Sequence, residues 1–140
     1  MQFRTKARAV DLLGKGQIAD LPTAITELWK NGYDAYADKL TAEIFKKSFT
    51  GLNNDLFLLT DDGKGMSHKD IFDHWLVLGT DSKSRAVLEE KPDLSTLWKK
   101  PRVKAGEKGI GRLSVAFLGQ PMLMLTKKMG SPLQMLFFNW

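Results

Sequence analysis

The stretch AITELWKNGYDAYADKL, from Ala24 to Leu40, places a carboxylate, an amide and a second carboxylate at Glu27, Asn31 and Asp34. On a helical wheel with about 100° per residue, Asn31 falls about 40° and Asp34 about −20° from Glu27. The three polar groups therefore form a narrow stripe at the margin of a cleft. An apolar stripe lies beside them and can pack on a sheet: Ile25, Leu28, Gly32, Ala35.

Signals at the start of this stretch predict a helix. Pro22 suits a first turn, and Asp20 or Thr23 can cap it. Chemically, Glu27 can act as a general base for a water, and Asn31 can give a neutral oxygen to Mg²⁺. The alternative is the polar edge of an ordinary amphipathic helix, and this helix alone does not decide between the two.

The bulk properties favour one soluble domain over residues 1–140. The chain has 140 residues, 43% of them hydrophobic and 26% charged, which is ordinary for a globular protein. It has no cysteine, so a disulfide framework and a thiolate metal site are excluded. No apolar run approaches the roughly 20 residues that span a bilayer. We therefore expect a cytoplasmic protein without membrane contact.

The rest of the chain alternates helix-like and strand-like segments. Residues 5–18 and 67–79 read as helices, the second with Ser67 as its candidate N-cap, and residues 41–49 and 55–62 as a strand pair. A second hairpin is expected around MGS, from Pro121 to Trp140. This order predicts an α+β two-layer sandwich, with helices on one face of a mixed, largely antiparallel sheet. Because the last strand-like run is apolar, we expect a C-terminally truncated piece of a longer protein.

The motif DDGKGM follows an apolar strand and offers a carboxylate next to two glycines. Asp61 stands at the strand end, where it can accept a hydrogen bond from an exocyclic amine such as that of adenine. Gly63 and Gly65 allow the backbone to approach a flat ligand. The alternative is an acidic hairpin turn.

The motif GEKGIGRLS, from Gly106 to Ser114, is a glycine-rich loop that runs into a helix. Free N–H groups at such a helix start bind phosphate, and Lys108 and Arg112 add positive charge. It is neither a Walker A loop nor a Rossmann fingerprint. Alone it is equally consistent with a flexible hinge.

The three motifs ELWKNGYDA, DDGKGM and GEKGIGRLS, in this order, resemble the GHKL ATPase superfamily over about Thr23 to Phe117. That superfamily includes gyrase-type, MutL-type, MORC and heat-shock ATPases and the histidine kinases. The resemblance implies a Bergerat ATP-binding fold, ATP and Mg²⁺ as cofactors, and an ATP lid at residues 79–108.

The resemblance also implies a role for each motif residue. Glu27 is the expected general base, Asn31 the Mg²⁺ ligand and Asp34 a polar group near metal and phosphates. Nucleotide-binding positions follow in the two glycine motifs: Asp61 for adenine, Gly63, Gly65, Met66 against the base, and Gly106, Lys108, Gly109, Ile110, Gly111 and Arg112 around the phosphates. A Gly-Thr motif expected on a late strand has no match, since Thr126 lacks the glycine.

The implied activity is ATP hydrolysis that drives a dimerising switch in a longer protein. Histidine kinases usually have Asn in place of Glu27, so the glutamate favours a hydrolase. The alternative is a non-hydrolysing module that binds nucleotide or nucleic acid through four basic lid residues: Lys99, Lys100, Arg102, Lys104. DNA processing, defence and chaperone work are equally compatible with these motifs. Three aromatic residues of the first helix are expected to pack on the N-terminal segment or to form a dimer surface: Trp29, Tyr33, Tyr36.

Overall fold

The computed structural model describes residues 18–51, 53–77, 93–106 and 113–139. The predicted helix at residues 5–18 lies outside them, apart from its last residue. The elements in chain order are α1 (Leu21–Asp34), β1 (Leu40–Phe45), α2 (Lys47–Thr50), β2 (Leu56–Asp61), α3 (His68–Asp70) with a π-helical turn (Ile71–Trp75), a 3₁₀ turn (Leu94–Thr96), α4 (Leu113–Leu118), β3 (Met122–Thr126) and β4 (Gln134–Phe138).

Helix α1 begins where its local signals place it. The Asp20 carboxylate accepts a hydrogen bond from the Thr23 amide at 2.8 Å, and Pro22 lies in the first turn. The helix ends at Asp34, before the end of the stretch Ala24 to Leu40, because Tyr36 takes a left-handed φ of 64°.

The buried side of α1 is narrow. Ala24 and Gly32 are its buried residues, and the helix packs against α4. A Cβ on Gly32 would lie 2.3 Å from Leu40 Cδ2, so the glycine allows the helix to lie close to the start of β1. At Gly32 the apolar stripe thus meets the start of β1, and the helix that packs on α1 is α4.

The strands form two antiparallel pairs, which confirms the α+β class. In the first pair, Leu40 lies opposite Asp61 and Phe45 opposite Leu56. In the second pair, Met122 lies opposite Phe138. Residues 47–49, which were expected to continue the first strand, instead begin the short helix α2, and Lys46 is its N-cap.

Contacts with the loop after β2 hold the second pair of strands in place. The Met66 amide donates a hydrogen bond of 3.0 Å to the Thr126 hydroxyl, and Lys128 Nζ lies 2.8 Å from Asp70 Oδ2. The rings of Trp75 and Phe138 lie 5.2 Å apart. These contacts position the DDGKGM loop between the two hairpins.

Ser67 caps α3 as predicted, and its partner Asp70 should make stability depend on pH. Burial would raise the pKa of Asp70, but hydrogen bonds from Lys128 and Ser67 outweigh it and hold the pKa far below 3.8. A depressed native pKa stabilises the fold above the unfolded-state pKa of about 3.9, and this contribution is lost as pH falls through the native pKa.

We expect Asp70→Asn to lower the free energy of unfolding by roughly 1–2 kcal/mol at pH 7. The difference from the parent protein should shrink progressively below about pH 4, because the parent's unfolded state then binds a proton at Asp70 that its native state does not. Urea unfolding between pH 7 and pH 2.5 measures it. Asp73→Asn is the control, since the partner of Asp73 is the exposed Lys69. A deficit that stays constant over this range would contradict the assignment.

Candidate functional site

The predicted polar stripe lies on α1, and all three of its members are half-buried. Glu27 Oε1 lies 2.7 Å from Lys30 Nζ, one helical turn away. Within the described residues, the side-chain amide of Asn31 makes no hydrogen bond. The helix therefore presents a carboxylate held by a lysine next to an amide whose oxygen is available.

Asp34 contacts the start of the glycine-rich loop. Its Oδ1 accepts a hydrogen bond from the Ala105 amide at 2.8 Å, and its Oδ2 accepts one from the Gly106 amide at 3.2 Å. Such bonds to a carboxylate are stronger than neutral ones. Asp34 thus joins the polar helix to a segment 71 residues further along the chain.

The DDGKGM loop is fixed to the end of α1. Asp61 is the last residue of β2, and its Oδ1 accepts a hydrogen bond of 2.9 Å from the Gly63 amide. The Lys64 amide donates to the Ala35 carbonyl at 2.8 Å. A Cβ on Gly63 would lie 2.9 Å from that same carbonyl oxygen, so a glycine is required there.

Asp62, which the sequence analysis did not single out, has a structural role. Its Oδ1 accepts hydrogen bonds from the Asp38 amide at 2.8 Å and the Lys39 amide at 2.9 Å. These bonds lower the pKa of Asp62 and tie the chain between α1 and β1 to the loop. Nothing in the sequence separates its role from that of Asp61.

Gly65 lies against the backbone of Lys127. Its φ is 62°, and a Cβ there would lie 2.0 Å from the Lys127 carbonyl oxygen. The backbone after β3 therefore fills the space on the Cβ side of this glycine. That Gly65 gives a flat ligand room elsewhere stays a prediction. The adjoining Met66 is half-buried and is held by Thr126.

The phosphate-binding positions are only partly described. Gly106 is buried, and α4 begins at Leu113 behind the loop, as predicted. The remaining predicted positions lie outside the described residues: Lys108, Gly109, Ile110, Gly111 and Arg112. The same holds for residues 79–92 of the expected lid.

The described part of the lid is attached to the C-terminal end of α1 through Arg102. Its guanidinium donates hydrogen bonds to the Ala37 carbonyl at 2.9 Å and the Tyr33 carbonyl at 3.2 Å, and it pairs with Asp38 at 3.2 Å. It also lies over the rings of Tyr33 and Tyr36, 4.9 and 5.6 Å from their centroids. Arg102 is thus a described neighbour of both rings, whereas residues 1–17 of the N-terminal segment lie outside the described residues.

Lys99 adds a second attachment at the same place. Its Nζ donates to the Tyr36 carbonyl at 2.6 Å and to Asp38 Oδ2 at 2.7 Å. We call Lys99, Arg102 and their partners at the end of α1 the lid clamp. Two of the four basic residues expected to contact nucleic acid are therefore engaged within the protein.

A cavity of about 120 Å³ lies beside the lid clamp. Its lining is mostly positive, since Asp34 is the one carboxylate beside three cationic side chains among the described lining residues. Burial lowers the pKa of Lys64, and repulsion from the nearby Lys104 and Lys128 lowers it further. Lys64 also lies 5.7 Å from the Tyr36 ring centroid. An anion would relieve this repulsion. The lining residues are Asp34, Tyr36, Lys64, Ser95, Thr96, Arg102 and Lys104.

Two negative findings apply to the part of the chain that the structure describes. No helix there is long and apolar enough to cross a membrane. Nor does any group of three or more histidine or carboxylate side chains there form a metal site. A lone amide oxygen such as that of Asn31 fits Mg²⁺ only where phosphates and water supply the other ligands.

Comparison with known proteins agrees with the motifs. Residues 19–140 match the model of a family described as histidine kinase-, DNA gyrase B-, and HSP90-like ATPase. No curated protein and no solved structure matches the chain. Since the family match spans most of the chain and includes the polar helix and both glycine motifs, the protein belongs to the histidine kinase-, DNA gyrase B- and HSP90-like ATPases, whose shared domain binds ATP.

Proposed function

We propose that this domain binds ATP together with Mg²⁺ and hydrolyses it to ADP and phosphate. The main support is the meeting of three motifs at one end of α1. There Asp34 accepts from Gly106, the start of the glycine-rich loop, and Ala35 accepts from Lys64 in the DDGKGM loop. These bonds bring the polar helix, the DDGKGM loop and the start of the glycine-rich loop close together, which supports one shared nucleotide site.

In this proposal each side chain has one task. The free oxygen of Asp61 accepts a hydrogen bond from the adenine amine, and its other oxygen is oriented by Gly63. Asn31 would hold Mg²⁺ with the phosphates, and the ion would neutralise phosphate charge in the transition state. Glu27 orients the attacking water and accepts its proton. The loop at 106–111 offers backbone N–H groups to the phosphates.

The glutamate on α1 supports hydrolysis over phosphotransfer to a protein histidine. A kinase has no need to activate water, whereas Glu27 places a half-buried carboxylate one helical turn from the proposed metal ligand Asn31. In the longer protein, which we expect in the cytoplasm, ATP would drive dimerisation of this domain. The dimerisation would then change the conformation of the attached domains. Nucleic-acid binding through the lid has less support, because Lys99 and Arg102 bind the end of α1.

The test is calorimetry of the protein with ADP and Mg²⁺, beside Asp61→Asn. The substitution keeps the size of the side chain but removes the charged acceptor, so we expect at least about a 100-fold loss of affinity. Asp55→Asn is the matched control, since Asp55 precedes the other end of the same strand and pairs with Lys46. Equal affinities of the Asp61 variant and the parent protein would refute the assignment of Asp61.

A further inference from the structure

The lid clamp connects two parts of the proposed site that the sequence places far apart. The last carbonyls of a helix have no partner within the helix, and cations are favoured near that end. Here the carbonyl of Tyr33, in the last turn of α1, and those of Tyr36 and Ala37, just after the helix, accept from lid cations. Arg102 reaches two of them and a carboxylate at once, which its planar fork allows and an ammonium group does not.

The distance along the chain from the clamp to the phosphate-binding loop is short. Ala105 is three positions after Arg102, so their Cα atoms lie within about 11 Å of each other in any conformation. Once Arg102 is bound to the end of α1, the Ala105 and Gly106 amides are confined near the same helix end. Asp34, on the last turn of α1, then accepts from both of them.

We propose that Arg102, assisted by Lys99, is a positioning residue that holds the start of the glycine-rich loop where Asp34 can fix it for phosphate binding. This inference rests on the proposed function. The clamp acts on the phosphate end of the ligand, because the residues it confines lead into the loop at 106–111. The adenine end is held separately by Asp61 and Gly63. Loss of the clamp should therefore weaken binding of the phosphates and leave binding of adenosine nearly unchanged.

The test variant is Arg102→Met, which keeps a long apolar side chain but removes the fork. We expect the affinity for ADP to fall about 10-fold and the affinity for adenosine to change less than about 2-fold. Arg102→Lys should not restore ADP affinity, since one ammonium cannot replace the fork. Lys100→Met is the control, because Lys100 is an exposed neighbour without a hydrogen bond or ion pair in the described residues.

A second readout does not depend on nucleotide. Amide hydrogen exchange at Ala105 and Gly106 should become at least about 10-fold faster in Arg102→Met, with exchange in the β1–β2 pair unchanged. Equal loss of ADP and adenosine affinity, or no loss of either, would overturn the positioning role. If the parent protein bound neither ligand, the proposed function would fail. The exchange data would then decide on the clamp, with faster exchange supporting it and unchanged exchange overturning it.

Discussion

Glu27→Gln is expected to lower the rate of phosphate release by roughly 100-fold to 10,000-fold while nucleotide affinity stays within about 2-fold. Glutamine keeps the size of the side chain and can still lie beside Lys30, but it cannot accept a proton from water. Because the proposed contacts to adenine and phosphates come from other residues, binding should survive. Phosphate release under saturating ATP and calorimetry with ADP measure the two effects separately.

Two further variants show whether the effect belongs to the carboxylate itself. Glu43→Gln removes an exposed glutamate on β1 and should change neither quantity. Lys30→Gln removes the partner at 2.7 Å but leaves the base, so it should keep most of the turnover. If Glu27→Gln retained more than about a tenth of the parent rate, the water would have another base and the proposed mechanism would be wrong.

Gly65→Ala is expected to destabilise the fold by roughly 3–5 kcal/mol, a large part of the stability of a small domain. Two costs add. A non-glycine residue at a φ of 62° costs about 1–2 kcal/mol. The new Cβ would also lie 2.0 Å from the Lys127 carbonyl oxygen, and a backbone atom cannot turn away as a side chain would. Urea unfolding followed by circular dichroism gives the difference.

Gly130→Ala separates the two costs. Gly130 has a φ of 75° but nothing within 4 Å of its Cβ position, so its substitution includes the conformational cost alone. We expect this control to lose about 1–2 kcal/mol. Equal losses for Gly65→Ala and Gly130→Ala would mean that the chain moves away from Lys127 at little cost. The close contact between the two hairpins would then not be a determinant of stability.

Local signals in the sequence were sufficient for much of the fold. Asp20 and Pro22 predicted the start of α1 because capping depends on neighbours within one turn. Ser67 predicted the start of α3 for the same reason. Both hairpins followed from apolar runs flanked by turn residues. These features depend on contacts between residues that are close along the chain.

Features that depend on distant residues were not predictable. Strand β1 ends at Phe45, because Asp55 binds the amide of Lys47 and the side chain of Lys46. Thr126 did not match the expected Gly-Thr motif, because no glycine precedes it. Its hydroxyl nevertheless accepts a hydrogen bond from the Met66 amide, 60 positions away. Each partner is an ordinary polar residue, and only the folded chain shows what it meets.

The candidate site divides in the same way. Motif spacing placed Glu27, Asn31 and Asp34 on one helix, and the structure has that helix. Motif spacing did not indicate that Asp34 accepts hydrogen bonds from the amides of Ala105 and Gly106, since these contacts span 71 and 72 positions. The basic run near Arg102 suggested an external partner, whereas two of its members bind the end of α1.

The attachment of Arg102 and Lys99 to the end of α1 has a consequence for biosynthesis. The carbonyls of Tyr33, Tyr36 and Ala37 receive their donors from residues 63 to 69 positions further along the chain. At translation rates of about 5–20 residues per second, roughly 3–14 s separate the two segments on the ribosome. Throughout that interval these three carbonyls lack the donors from Lys99 and Arg102. The helix with Glu27 and Asn31 is thus synthesised early, and the contacts of Lys99 and Arg102 with its end form only later.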